Sequence, residues 1–431
     1  MAEVVRRPGS PILTLGFAMV VTMWAVAYIC RLPAVMAPSW LLLVLMLVAV
    51  AGWGMVAGRR VGGWTVGLAA GVTASIVNML VLGSLLSAHD AVGVRPSALW
   101  WVPGSMVVVA MVAAVAAMVA THDASTRTDW TAMLSKVGVA ATFLLVIAGG
   151  LVTSHEAGLA VVDWPNTFGY NMFLYPLARM TGGIYYEHAH RLFGALVGLT
   201  TIVLAAHLWR VETRRWVVRL ALLAVGLVVL QGILGGLRVT GRFTLSTSIE
   251  DVAPNIGLAV AHGVLGQLFL GVMVALAVVT STRWKSDQAP QALPTVMTDR
   301  NLQLWLVAAL VVQLVLGALQ RHLAQGLLIH ITLAAVVTML AIVAGARAWG
   351  LYGGVAPMGR LGQVLTAMVA VQITLGIAAL AVTQGRAVVG DPTTLEVTMA
   401  TAHQAGGAVL LALAVMLALW SRRVLAAEPA S

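Results

Sequence analysis

Apolar runs of eighteen or more residues recur along this chain, each long enough to cross about 30 Å of hydrocarbon as a helix. Twelve are legible, at about 12–30, 39–57, 64–87, 98–121, 135–153, 187–207, 217–237, 259–280, 302–320, 327–346, 361–383 and 398–420. Only helices and closed barrels satisfy every backbone N–H and C=O in lipid, and runs of this length exclude barrel strands. The expected fold class is therefore an all-α polytopic membrane protein. Composition agrees: 60% of residues are hydrophobic and 9% charged, where soluble domains carry about 25% charged residues. The first run follows Arg6 and Arg7 but lacks a clear small-x-small cleavage site, so it reads as a retained helix rather than a signal peptide.

The net charge of +10 invites a nucleic-acid reading, which position removes. With the N-terminus in the cytoplasm, 17 of the 25 basic residues fall on the inner side, while the 15 acids divide 7 to 8. That is the positive-inside pattern of a cytoplasmic (inner) membrane protein with both termini cytoplasmic. The partner of the basic residues is then membrane lipid, and no nucleic acid is expected. A single cysteine, Cys30, excludes an intrachain disulfide, a CxxCH haem attachment and a cysteine-built iron–sulfur cluster.

Two blocks differ in polar content. Residues 1–134 hold four spans with few polar side chains, and "HDASTRTDWTAMLSK" at 122–136 reads as a linker. Residues 135–431 hold eight spans and nearly all the polar chemistry. Spans seven, nine and eleven read "LQGILGGLRV", "VQLVLGALQR" and "VQITLGIAAL", with a glutamine at Gln231, Gln313 and Gln372. Spans six, eight, ten and twelve each place a histidine near the outer end: His190, His262, His330 and His403. His190 and His262 are 72 residues apart and His330 and His403 are 73 apart, while 31 residues separate Gln231 from His262 and Gln372 from His403. A duplicated four-helix unit explains this regularity, and binding sites of repeated membrane folds often lie within or between such units. The expected domains are 1–134, a four-helix membrane region of unassigned role; 135–282, a first four-helix bundle; and 283–431, a second.

A lone histidine on a membrane helix is usually a packing residue with a hydrogen bond. Four at repeat-related positions read better as two pairs of metal ligands, one imidazole for each face of a haem. Four residues after each histidine stands a small residue (Gly194, Gly266, Ala334, Gly407), which leaves room for a flat macrocycle. His188 is followed by Leu192 and points elsewhere, which suggests an interfacial position. Zinc fits less well, since neither cysteine nor clustered acid accompanies the pairs. Only His190 has an acid one turn before it: Glu187, where the other three have Ala259, Leu327 and Ala400. A carboxylate there could orient water or move protons during an oxidation. The chemistry is accordingly expected in the first half, with electron transfer in the second. The loop 153–186, rich in aromatics, is long for a helical bundle and suits a lid or a binding surface.

"GGLVTSHEAGLAVVDWPNTFG", "EHAHR", "AHGVLGQ" and "TAHQAGG" resemble the haem A synthases of cytochrome oxidase maturation over roughly residues 135–423. The resemblance implies two pseudo-symmetric four-helix bundles. It also implies oxidation of the C8 methyl of haem O to a formyl group by successive hydroxylations, with oxygen from water. On it Glu187 is the catalytic acid, His190 and His262 bracket the substrate haem O, and His330 and His403 hold the iron of a haem b. Arg191, Arg238 and Arg321 are candidates for the haem propionates, which suit the guanidinium fork. A haem O synthase and an electron-transfer protein are the implied partners, and a homo-oligomer is open. Two departures stand out. The cysteine pair that many relatives carry in the first outer loop is absent, and the loop between spans nine and ten is only about "RHLAQG". Rival readings are a dihaem b-type cytochrome for quinol-linked electron transfer, a haem carrier, and an ion-coupled transporter. The cytochrome leaves Glu187 and the first loop unexplained, and the transporter would need paired acids at mid-membrane, which the sequence lacks.

Overall fold

Among the described residues, twelve helices are long and apolar enough to cross a membrane. The structure, a computed structural model, describes residues 10–86, 96–125, 127–240, 255–286, 289–383 and 391–427. Arg6 and Arg7 lie outside the described residues. In chain order the helices are α1 (Pro11–Arg31), α2 (Ser39–Arg60), α3 (Trp64–Leu86), α4 (Ala98–Val119), α5 (Trp130–Ser154) and α6 (Gly182–Val211). They continue with α7 (Arg215–Thr240), α8 (Ile256–Val279), α9 (Val296–Leu323), α10 (Leu327–Tyr352), α11 (Met358–Thr383) and α12 (Thr394–Val424). The protein is thus an all-α polytopic membrane protein, apart from two three-residue strands. Those strands, β1 (Gln291–Leu293) and β2 (Leu425–Ala427), pair in parallel.

The helix ends follow local chemistry. Ser10 caps α1 by accepting the N–H of Leu13, and Pro11 opens the helix where a missing N–H costs nothing. A capping box starts α12: Thr393 accepts from Glu396 N–H, and the Glu396 carboxylate accepts from Thr393 N–H. Between α9 and α10 the chain reverses within Ala324–Gly326, where Ala324 and Gly326 both take positive φ, 52° and 86°. Glycine adopts that backbone without a Cβ penalty. Many large apolar side chains are exposed, among them Leu43, Trp209, Leu328 and Ile377. In a soluble protein that would invite aggregation, whereas on a membrane helix it is the lipid-facing surface.

The chain divides into two compact units. The first comprises residues 1–148, 157–229 and 242–252, and the second 149–156, 230–241 and 253–431. In the first unit, α2, α3 and α4 pack backbone to backbone. A Cβ at Gly54 would lie 2.6 Å from the Ala113 carbonyl oxygen, one at Gly67 2.5 Å from the same oxygen, and one at Gly71 2.7 Å from Ala110 Cα. Lipid tails are as apolar as leucine, so such close approach, rather than hydrophobic exclusion, holds membrane helices together. The aromatic face of α1 packs on α6: Trp24 and Tyr28 meet Phe193 edge-on at 5.5 and 5.3 Å, and Tyr28 stacks on Tyr185 at 5.6 Å. The Tyr185 hydroxyl donates to the Tyr28 carbonyl at 2.7 Å. Helix α1 therefore braces α6 on both sides of Glu187.

In the second unit one end is tied by polar contacts. Asp299, buried, accepts from Arg347 Nε at 2.6 Å and from the hydroxyls of Thr295 and Tyr352. Ser421 donates to Gln303, and Arg423 donates to the Trp284 carbonyl at 3.0 Å. The histidines of α10 and α12 lie toward the opposite ends of their helices.

A Cβ at Gly58 would overlap the Ala117 carbonyl oxygen, whereas Gly52 on the same helix has open space around it. Gly58→Ala should cost about 1–3 kcal/mol through overpacking and lower the thermal unfolding midpoint in detergent, while Gly52→Ala leaves it unchanged. Equal midpoints for the two variants would refute the close packing of α2 on α4.

Candidate functional site

Glu187 lies in the second turn of α6 and is only 5% exposed. A carboxylate so placed needs partners, and both oxygens have one. Oε1 pairs with Arg191 Nη2 at 2.8 Å, one helical turn on, and Oε2 accepts the Val161 N–H at 2.9 Å. Arg191 spends the rest of its fork on loop carbonyls: Nη1 donates to Asp163 at 2.7 Å and Asn166 at 3.0 Å, and Nη2 to Val161 at 3.1 Å. The loop holds itself in turn. Asp163, fully buried, accepts the N–H groups of Phe168 and Gly169 at 2.7 and 2.8 Å. The long loop is therefore folded over the start of α6, and the Glu187–Arg191 pair is its clamp.

His188 corrects the sequence reading. It is 0% exposed rather than interfacial: Nδ1 lies 3.1 Å from Thr167 Oγ1, and the Tyr175 ring packs on its imidazole at 5.0 Å. Helical spacing places His188 off the His190 face correctly, but spacing says nothing of a loop that returns to cover that second face. Burial also raises the Tyr175 phenol pKa above its ordinary value, so that group stays protonated at neutral pH.

The ligand candidates distribute over the two units. His190 belongs to the first and is half-buried on α6; His262, His330 and His403 belong to the second and are also half-buried. In the second unit each histidine is gripped by the glutamine of the preceding helix. The side-chain nitrogens of Gln231, Gln313 and Gln372 donate to the main-chain carbonyls of His262, His330 and His403, each at 3.0 Å. One turn beyond each glutamine, a glycine lies against the imidazole. Cβ atoms at Gly235, Gly317 and Gly376 would stand 3.1, 3.2 and 2.9 Å from the Cε1 atoms of His262, His330 and His403. The repeated Q-x-x-x-G is thus a socket for the histidine of the next helix.

The socket also changes the reason for the small residues four positions after the histidines. A Cβ at Gly266 would lie 2.9 Å from Gln231 Nε2, and one at Gly407 3.5 Å from Gln372 Nε2. The room they leave is taken by the glutamine amide. Gly194 on α6 has open space around it.

His330 and His403 come together, with ring centroids 6.4 Å apart and planes crossed at 77°. Metal–imidazole bonds of about 2 Å on each side, plus about 1.1 Å from each nitrogen to its ring centre, separate two rings that share one metal by roughly 6 Å. Among the described residues no three His, Cys, Asp or Glu side chains cluster around a common point. A two-ligand site suits a macrocycle that supplies its own equatorial nitrogens better than a bare ion. Arg321 donates to the Thr153 carbonyl. Arg238 and Arg321 both act electrostatically on His322, and Arg238 also on His262, which puts a guanidinium near His262 of α8 and two near His322 of α9.

Residues 132–330 match the COX15-CtaA family model, described as a cytochrome oxidase assembly protein. The matched stretch is just under half of the 431 residues. It contains Glu187, Arg191, His190, His262 and His330, and leaves His403 and α1–α4 outside. No curated protein matches the chain.

Arg191→Ala would leave Glu187 buried without its cation and three loop carbonyls without their donor. Breaking a buried pair in this way costs about 3–5 kcal/mol. Limited proteolysis of the detergent-solubilised protein should then cut within residues 157–181 at a protease concentration that leaves the native loop intact. An equally resistant loop in the variant would show that the clamp does not hold it.

Proposed function

We propose that this protein is a haem A synthase of the membrane, oxidising the C8 methyl of haem O to a formyl group by successive hydroxylation. The observation that carries the haem part is the approach of His330 and His403 to a separation that one iron spans. The match of residues 132–330 to cytochrome oxidase assembly proteins supports a synthase over a plain electron carrier. In this reading residues 135–282 form the catalytic four-helix bundle and 283–431 its pseudo-symmetric partner. Residues 1–134 are an appended region that braces α6. His330 and His403 hold a haem b, which when bound supplies one-electron transfer. His190 and His262 hold the substrate haem O, an assignment that rests on the repeat and its 72-residue spacing. Positive-inside charge puts both termini in the cytoplasm and the haem sites toward the outer face of the inner membrane. A haem O synthase and an electron acceptor are the partners that this chemistry requires.

The chain's own contribution to the oxidation is proton handling, assigned to Glu187. Each oxygen of the carboxylate has one donor and keeps a further lone pair, so Glu187 can take a proton with both donors in place. Both bonds to the carboxylate, from the Val161 amide and from Arg191, are charge-assisted. Arg191 is occupied by Glu187 and three carbonyls, so the propionate role falls first to Arg238 and Arg321.

Expressing the full chain with a source of haem O and extracting the non-covalent haems tests the reading. Haem A in the extract is expected, and haem b alone, in stoichiometric pairs, would favour the dihaem cytochrome. Glu187→Gln should retain bound haem yet lower haem A formation by about a hundredfold or more, the scale of general acid–base catalysis. Normal turnover in that variant would overturn the role of Glu187.

A further inference from the structure

The three glutamines are the part of the repeat that the proposed chemistry leaves unused. Beyond gripping the main-chain carbonyls, Nε2 of Gln313 lies 3.2 Å from His330 Nδ1 and 3.3 Å from its Nε2, and Nε2 of Gln372 lies 3.2 Å from His403 Nδ1. The other end of each amide is unmatched. Oε1 of Gln231, Gln313 and Gln372 is buried and, among the described residues, has no hydrogen-bond partner. One such orphan would be unremarked. The same orphan at three repeat-related positions, two of them beside an imidazole nitrogen, points to a partner that arrives later.

The chemistry of imidazole supplies that partner. An imidazole that binds a metal through Nε2 carries its proton on Nδ1, and this N–H is almost always given to an acceptor that fixes the ring and raises its basicity. A primary amide presents donor and acceptor side by side, and its last torsion is soft. A tilt of the Gln313 or Gln372 amide brings Oε1 to the adjacent Nδ1–H. We infer that Gln313 and Gln372 are positioning residues for the axial imidazoles of the second-unit haem, and that by accepting the Nδ1 protons they lower its reduction potential. Gln231 shares only the grip on the main-chain carbonyl, at His262. The inference rests on the reading of His330 and His403 as iron ligands.

The potential falls because a better hydrogen-bonded imidazole donates more electron density and so favours the ferric state. An apolar residue in place of glutamine weakens that donation, and a carboxylate strengthens it. The two changes therefore have opposite signs, which a merely structural role for the glutamine does not produce.

The test is a redox titration of the low-spin haem in the purified full-length protein, followed by absorbance. Gln313→Leu and Gln372→Leu should retain haem with a raised midpoint potential, and Gln313→Glu and Gln372→Glu should lower it. Should the leucine variants fail to take up haem, the sign of the shift in the glutamate variants decides. Potentials that do not move, or that move the same way in both kinds of variant, overturn the inference while leaving the ligands in place. A wild-type protein with no low-spin haem overturns the ligand reading and the inference with it.

Discussion

A glutamine amide inside hydrocarbon cannot fall back on water, and in this protein three of them settle on the same target. Each donates to the main-chain carbonyl of a histidine on the following helix, at the same distance. That bond fixes the register between successive helices and sets the height of each imidazole. The glycine one turn further along admits the ring to the helix surface. Remove the bond and the helices keep their apolar surfaces, which lipid would cover equally well. The glycines at 317 and 376 would then be left as the remaining contacts that seat the imidazoles of His330 and His403.

Much of this was legible in the sequence, for reasons that can be named. Apolar length alone located twelve spans, because a bilayer imposes a thickness that a run of residues either meets or does not. The histidine and glutamine repeats were visible as spacings, since a duplicated unit copies its polar exceptions along with its apolar background. The link between the two repeats showed only as a spacing of 31 residues shared by two of the pairs. Gln313 and His330 are 17 residues apart while the other two pairs are 31 apart, because a tight turn at Ala324–Gly326 replaces a longer loop. The small residues after the histidines were found, but the group that fills their space is an amide, which spacing could not identify.

The other unread feature is tertiary. His188 is buried and Glu187 is bonded on both oxygens because a loop of irregular structure returns to cover them. No periodicity encodes such a return. Its signal in hindsight is Asp163, an acid in an aromatic-rich stretch whose burial is made tolerable by two backbone N–H groups. The same loop gives Glu187 two roles that pull against each other: a clamp that must hold and a carboxylate proposed to take protons. Both of its bonds tie the loop, one directly at Val161 and one through Arg191, so the two roles share the same two hydrogen bonds.

The claim on which the account turns is that imidazoles from α10 and α12 share one iron. Pulsed electron paramagnetic resonance of the ferric protein, prepared with nitrogen-15 histidine from cells that make no haem O, counts the axial imidazole nitrogens directly. The account predicts two on one low-spin iron, with the signal lost in both His330→Ala and His403→Ala. A two-imidazole signal that survives in either variant, or a native iron with only one, would contradict it.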